Sequence, residues 1–353
     1  MYPLYEAIAS YENLRYAYNA ACKTRSKSRE VYEFACDETS ELNKLSHELQ
    51  TYTWEPLPCR KFTIYEPKRR EIKAPNFRDR IVHHAIVQQV LPYFEKRFIY
   101  HSYACRVNKG TLKAAQALYS GMQSMNRKAE KPYCVKCDIS KYFWNIDHTI
   151  LIHLIKKVIP DDMVEVLWWK IIKGYAEPNS FVGIPVGALT SQLAANIYLD
   201  QLDHFLTDDC AAPKYYRYMD DFIILTYDKE QAKYYLELVK QKVAELRLTI
   251  NPKTSIFPIS RGIDFCGYRI WTTHFRPRKR IIKTFKNKMK KLAQEISIDE
   301  TAITQVRPIF DSFLGYMQHC AGLEDIEFLY ADFPFLSQVH PFSDIQSLFD
   351  NTK

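Results

Sequence analysis

Hydrophobic and polar positions change period several times along the chain. Residues 60–73, RKFTIYEPKRREIK, run in strand fashion and are interrupted at Pro67. From Arg78 to Phe98 the spacing becomes helical, with Ile81, Ala85, Val87 and Leu91 on an apolar side. Pro92 is placed to bend or break that helix. Thr111 to Met125 predicts a second one. The middle third alternates: a strand at 133–139 (YCVKCDI), a helix at 148–159 (HTILIHLIKKVI), a loop from Gly183 to Gly187, and an apolar helix from Thr190 to Phe205. KYYRYMDDFIILTY, residues 214–227, predicts two strands meeting in a tight turn on Met219–Asp220. A helix at 230–246, a short strand at 248–251 and the segment IDFCGYRIW at 263–271 follow. Polar helices are expected near the start, at Tyr11–Cys22 and Glu38–Leu49, and a basic helix at 280–292 precedes a less basic helical tail. No internal repeat and no Gly/Ser linker interrupts this order.

A length of 353 residues suits two or three lobes around a shared cleft, and 47% hydrophobic residues provide for a core. The formal charge of +8 is unevenly spread. Residues 61–130 carry fourteen Lys/Arg against five Asp/Glu, residues 271–292 carry nine and no acid, and the remainder is net acidic. Two separate basic blocks point to two surfaces facing a polyanion, although solvated basic faces would give the same count. Nine Cys at irregular spacing, with no apolar leader, point to reduced thiols. No run reaches the apolar length of a membrane span, so a cytoplasmic protein without a membrane partner is expected. Cys134-Val-Lys-Cys137 has zinc-like spacing but no second pair, and in a strand its two cysteines face opposite ways, which favours a structural role.

Two acidic positions stand out. Asp138 ends an apolar strand, and Asp220–Asp221 sit at a hairpin turn between apolar strands. Such carboxylates must be solvated, paired or bound to metal. Three brought together would repel one another, and divalent cations relieve that repulsion. Oxygen-only ligands suit Mg²⁺, with Mn²⁺ as a substitute. Two such ions activate a 3′-hydroxyl and stabilise leaving pyrophosphate. An Asp-Asp turn alone is common and decides nothing.

Its context decides. CDISKYFWNIDH, GIPVGALTSQLAANIYLDQLDHF, YRYMDDFIIL, INPKTSI and GIDFCGYRIW occur in this order, and over residues 55–290 the chain resembles the reverse transcriptases of the group II intron-like branch. The resemblance implies an α+β right-hand polymerase. Its parts would be an N-terminal helical extension (1–55), fingers (56–130), a palm whose antiparallel sheet carries the YMDD hairpin (131–272), and a helical thumb (273–353). Asp138, Asp220 and Asp221 then become the catalytic metal ligands, joined by the backbone carbonyl of Ile139. Phe143 matches the aromatic gate that excludes a ribose 2′-hydroxyl, which also argues against an RNA-copying RNA polymerase. Arg70 and Arg106, with Lys68 and Lys109 near, become candidates to clamp the incoming triphosphate. Lys253 resembles the lysine that protonates pyrophosphate. Phe265, Gly267 and Tyr268 resemble the primer grip, where Gly permits close backbone approach. Arg278, Lys279, Arg280, Lys283 and Lys286 stand where a thumb helix meets template–primer phosphates.

The loop VGALTSQ, residues 186–192, departs from the intron pattern of Gln-Gly followed by Ser-Pro. Val186 replaces the Gln before Gly187, and Gln192 replaces the Pro. This form resembles the reverse transcriptases of diversity-generating retroelements, as do YEPK (65–68), FRDRIVHHAI (77–86) and SYACRVNKGT (102–111). That family, bacterial or phage-encoded, makes error-prone cDNA from a dedicated template RNA, with dNTPs and a small basic accessory protein or another subunit as partners. Two alternatives stay open: an anti-phage defence reverse transcriptase working with a non-coding RNA, and an inactive polymerase fold that only binds RNA.

Overall fold

The computed structural model describes residues 3–23, 28–65, 69–177, 179–320 and 323–350. Four helices open the chain: α1 (Pro3–Ala9), α2 (Tyr11–Cys22), α3 (Arg29–Ala35) and α4 (Glu38–Gln50). An antiparallel hairpin follows, β1 (Arg60–Ile64) with β2 (Arg70–Ala74), in register from Arg60↔Ala74 to Ile64↔Arg70. The strand break expected at Pro67 lies outside the described residues. Next come α5 (Phe77–Glu95), α6 (Thr111–Lys128), β3 (Tyr133–Asp138), and α7 to α10 (Tyr142–Asn145, His148–Val158, Asp162–Tyr175, Leu189–His204). The hairpin of β4 (Lys214–Tyr218) and β5 (Asp221–Thr226) leads to α11 (Lys229–Glu245) and β6 (Ser255–Pro258). The four strands β3 to β6 form one sheet in the order β4-β5-β3-β6.

The remainder is β7 (Ile263–Phe265), β8 (Tyr268–Ile270), β9 (Phe275–Pro277), α12 (Lys279–Ile296), α13 (Val306–Met317), α14 (Leu323–Asp332), α15 (Leu336–Val339) and α16 (Phe342–Asp350). No helix among the described residues is long and apolar enough to cross a membrane.

The chain divides into two compact units, and neither is a continuous segment. The first takes residues Met1–Val107, Lys136–Ile223 and Tyr234–Ser255. Its centre is α5, which buries Ile81, Val82, Ala85, Ile86 and Val90 completely. Asn13 on α2 donates from Nδ2 to the Ala85 carbonyl at 3.1 Å, and His83 on α5 meets Thr190 Oγ1 on α10 at 2.9 Å. Burial lowers the His83 pKa to about 3, so this hydrogen bond is made by a neutral ring. Pro92 lies inside α5 and does not end it. Burial of Val87, Val90 and Phe94 around the proline holds the helix, as tertiary packing commonly overrides local preference.

The second unit takes Asn108–Val135, Ile224–Lys233 and Ile256–Lys353. It contains the antiparallel sheet β7-β8-β9 and a helical core built on Phe285, Met289, Phe310, Phe313, Ile326 and Leu329. The segment expected as fingers, 56–130, is thus divided at Val107/Asn108.

One expected strand is not a strand. At 248–251 only Ile250 bridges, to Ile139. Asn251 turns the chain by accepting the Lys253 amide at its Oδ1 (3.0 Å) and the Thr254 amide at its carbonyl (2.9 Å), and Pro252 has no amide to give a ladder.

Candidate active site

β3 places Asp138 at its C-terminal end, and β5, its neighbour in the sheet, begins with Asp221. Asp220 belongs to the two-residue turn that joins β4 to β5. Met219, the first of those two, has φ +59°, whereas Asp220 has negative φ, the signature of a type II′ hairpin turn. Glycine is the usual residue at that first position, and a methionine there stores backbone strain.

The surroundings explain how the strained turn is held. Arg217 on β4 is fully buried and forked onto Asp203 of α10, with Nε 2.7 Å from Oδ1. Its Nη1 donates to the Met219 carbonyl and to Asn196 Oδ1, each at 3.1 Å. Tyr215 donates to the same Asp203 oxygen at 2.7 Å. A buried ion pair is tolerated only with such complete hydrogen bonding.

Asp138 is fixed from the other side of the strand end. Asn251 Nδ2 donates to its Oδ2 at 2.7 Å, and the Asn251 amide donates to its carbonyl at 2.7 Å. Asp221 pairs with Lys136 of β3, whose Nζ lies 3.2 Å from each carboxylate oxygen. Strand alternation puts Lys136 on the same face as Asp138. Among the described residues no three His, Cys, Asp or Glu side chains stand close enough together to hold a metal ion. The donor chemistry nonetheless fits a hard divalent cation: half-exposed carboxylates gather at adjacent strand ends, and a cation is already drawn to one of them. Cys134 and Cys137 are both buried and not joined in a disulfide, and burial pushes the Cys137 thiol up to about 12, away from the thiolate a metal would need.

Phe143 sits on the single-turn helix α7, which starts after Lys141 in the left-handed region at φ +47°. Tyr142 anchors that turn by donating to the Ala195 carbonyl at 2.6 Å. Phe143 itself is half-buried, and its carbonyl accepts the Ile184 amide at 2.8 Å. That bond joins Phe143 to the stretch that carries Val186 and Gly187 and leads into α10, whose first turn holds Gln192. Gly187 has φ +107°, and a Cβ there would lie 3.2 Å from Ile72 of β2. Val186 and Gln192 are both half-buried.

Other sequence candidates fall out differently. Arg106 is nearly buried, and its guanidinium bonds Glu95 and the carbonyls of Ile99 and Ser102, so in this arrangement it braces its own loop. Lys68 and the Arg70 side chain lie outside the described residues. Lys253 is exposed. Lys109 belongs to the second unit.

In that unit β7 and β8 pair at Phe265↔Tyr268 across Cys266 and Gly267, whose φ values of +49° and +89° mark a type I′ turn. Tyr268 stacks on Tyr316 with ring centroids 4.4 Å apart. On α12, Ile281, Phe285, Met289, Leu292 and Ile296 form the packed stripe, while Lys279, Arg280 and Lys283 are exposed. Lys286 pairs with Asp332 at 2.7 Å, and Arg278 lies 3.7 Å from Asp264.

Sequence reasoning missed Lys136, Asn251 and Arg217. Arg217 carried a signal, since an arginine amid strand residues that must be buried demands a partner.

A sheet whose neighbouring strand ends present one carboxylate and a carboxylate-bearing hairpin, with helices packed about it, is a nucleotidyl-transfer palm. A telomerase structure from Candida tropicalis with a fragment of telomeric RNA is similar to this fold, with a TM-score of 0.50 and 14% identity over 88% of this chain and 64% of that one. The chain belongs to the reverse transcriptase (RNA-dependent DNA polymerase) family, whose model matches residues 60–270. Its relatives include protein YkfC of Escherichia coli K12, 26% identical over 65% of this chain and 71% of that protein. The group II intron-encoded protein LtrA of Lactococcus lactis is 30% identical over 47% of this chain, as is a putative COX1/OXI3 intron 2 protein of Saccharomyces cerevisiae. The match spans only 28% and 20% of those two longer proteins. The right-hand polymerase fold and the group II intron-like branch read from the motifs both hold.

Proposed function

We propose that this chain synthesises DNA on an RNA template by two-metal nucleotidyl transfer, and that it makes error-prone cDNA of the diversity-generating kind. The observation that supports the chemistry is that Asp138 ends β3 while the Asp220–Asp221 turn opens β5, the neighbouring strand of the sheet. Asp138, Asp220, Asp221 and the Ile139 carbonyl would hold two Mg²⁺ ions, whose charge would supply activation of a primer 3′-hydroxyl and stabilisation of pyrophosphate. Asn251 holds the Asp138 carboxylate in place, and Arg217 holds the turn. Phe143 blocks the space of a 2′-hydroxyl. The exposed basic residues of α12 supply phosphate contacts to a template–primer duplex.

The diversity-generating reading rests on the segment from Val186 to Gln192, which enters α10 at Leu189. An aliphatic at 186 cannot hydrogen-bond a nucleotide, whereas Gln can. Asp138→Ala, and Asp220→Ala with Asp221→Ala, are expected to reduce primer extension on the order of 10³-fold or more while the circular dichroism stays wild-type. Retained extension would sink the polymerase mechanism. The biological reading is tested by sequencing cDNA made on a defined RNA by wild type and Val186→Gln. One hydrogen bond contributes about 0.5–1.5 kcal/mol, so the variant should lower misincorporation roughly 2- to 12-fold. Wild-type copying as faithful opposite adenine as opposite the other bases would favour a defence-associated enzyme instead.

A further inference from the structure

We propose that Lys136 is a resident counter-ion that competes with divalent cations for Asp221, so that ion binding requires its ammonium group to swing away. The inference rests on the metal reading above and goes further, because it gives the apo site a defined state of its own. Three observations support it. Lys136 Nζ sits 3.2 Å from both oxygens of Asp221, astride the lone pairs an ion would use. Lys136 lies two residues before Asp138 on β3, so its charge faces the site and not the core behind the sheet. Both partners are partly solvent-exposed, 23% for Lys136 and 30% for Asp221, so the ammonium has a route to water.

The contrast with Arg217 is instructive. Arg217 is buried, planar and forked onto Asp203, a geometry that does not rearrange cheaply. Lys136 carries a point charge on a flexible four-carbon stem, the side chain suited to a contact that is made and broken. Like charges brought to adjacent strand ends repel one another, and a lysine relieves this without the geometric demands of an ion. The consequence is a threshold. A divalent ion must displace the lysine before it engages Asp221, and Lys136 then stands as a like charge beside it.

The test measures ion binding directly, with Mn²⁺ as probe and electron paramagnetic resonance as readout, on the full chain without nucleic acid. Lys136→Met removes the charge and keeps the length; Lys136→Arg keeps the charge. The Met variant is expected to bind Mn²⁺ on the order of tenfold tighter, since it removes a like charge a few ångströms from the ion at a half-exposed site. The Arg variant should bind Mn²⁺ no more tightly than wild type. Adding Asp221→Asn should abolish the gain, which shows that it arises at this pair. A thermal melt of each variant confirms folding, and the Arg variant keeps the comparison valid if the Met variant is destabilised: an Arg protein binding Mn²⁺ as tightly as a charge-free site would overturn the idea. Equal or weaker binding by Lys136→Met overturns it too, and leaves the metal reading intact. Binding by none of the proteins overturns the metal reading, and this inference with it.

Discussion

Phe143 shows how far a single side chain can be read. Its type and its distance from Asp138 marked it as a gate, and the structure adds that the ring is half-buried on a one-turn helix tied to Ala195 and Ile184. If its duty is steric, Phe143→Ala should admit ribonucleotides. The ratio of kcat/KM for a dNTP to that for its NTP should fall at least tenfold, while dNTP use falls less. An unchanged ratio would make Phe143 a packing residue. Residues that act by supporting others were harder to see. Asn251 precedes a proline in a stretch that reads as a strand, and nothing local shows that its amide reaches a carboxylate 113 positions earlier. Arg106 shows the opposite case. Its position suggested a phosphate clamp, yet Glu95 and two carbonyls take up the guanidinium, and only the fold reveals those partners.

At the scale of elements, the β4–β5 hairpin was legible to the residue, because aromatic and apolar strand residues on both sides left Met219–Asp220 for the turn. The strand expected at 248–251 was not, since Asx-turn chemistry at Asn251 outweighs the apolar pattern of Leu248 and Ile250. α9 went unread although its apolar positions are regular, because nothing in the motifs drew attention to it. What the pattern could not show is what keeps a methionine at φ +59°. The Arg217–Met219 carbonyl bond gives an answer open to test. Arg217→Ala would leave Asp203 buried and unpaired, and unfolding by denaturant should show a loss of about 3–5 kcal/mol. Tyr215→Phe removes one hydroxyl from the same carboxylate and should cost only about 1 kcal/mol. If the tether to the turn matters for catalysis, primer extension at a temperature where both variants stay folded should fall far more for Arg217→Ala. Equal activities would reduce Arg217 to a stabilising residue.

For the whole molecule, two buried acids bend the stability curve. Burial raises Asp79 and Asp200 to about 6. Asp200 has His204 Nε2 at 3.6 Å and no donor on its Oδ1, whereas Asp79 accepts from Leu57 and Asn76. A carboxyl whose folded pKa lies above its unfolded value near 4 stabilises the fold below pH 4, and that stability is lost as pH rises through about 6. Asp200→Asn should therefore raise stability at pH 7 by about 1–2 kcal/mol and change little at pH 4. Denaturant midpoints at the two pH values check this, and a gain at pH 4 equal to that at pH 7 would refute it. Finally, the first unit is assembled from three stretches that end at Val107, Ile223 and Ser255. A ribosome delivers Asp138 long before Asn251, so the nascent chain carries this strand end of the candidate site without the amide that fixes it. The candidate centre is one of the later things to be completed during synthesis, and a chain released before residue 251 would hold all three aspartates yet lack the amide that positions Asp138.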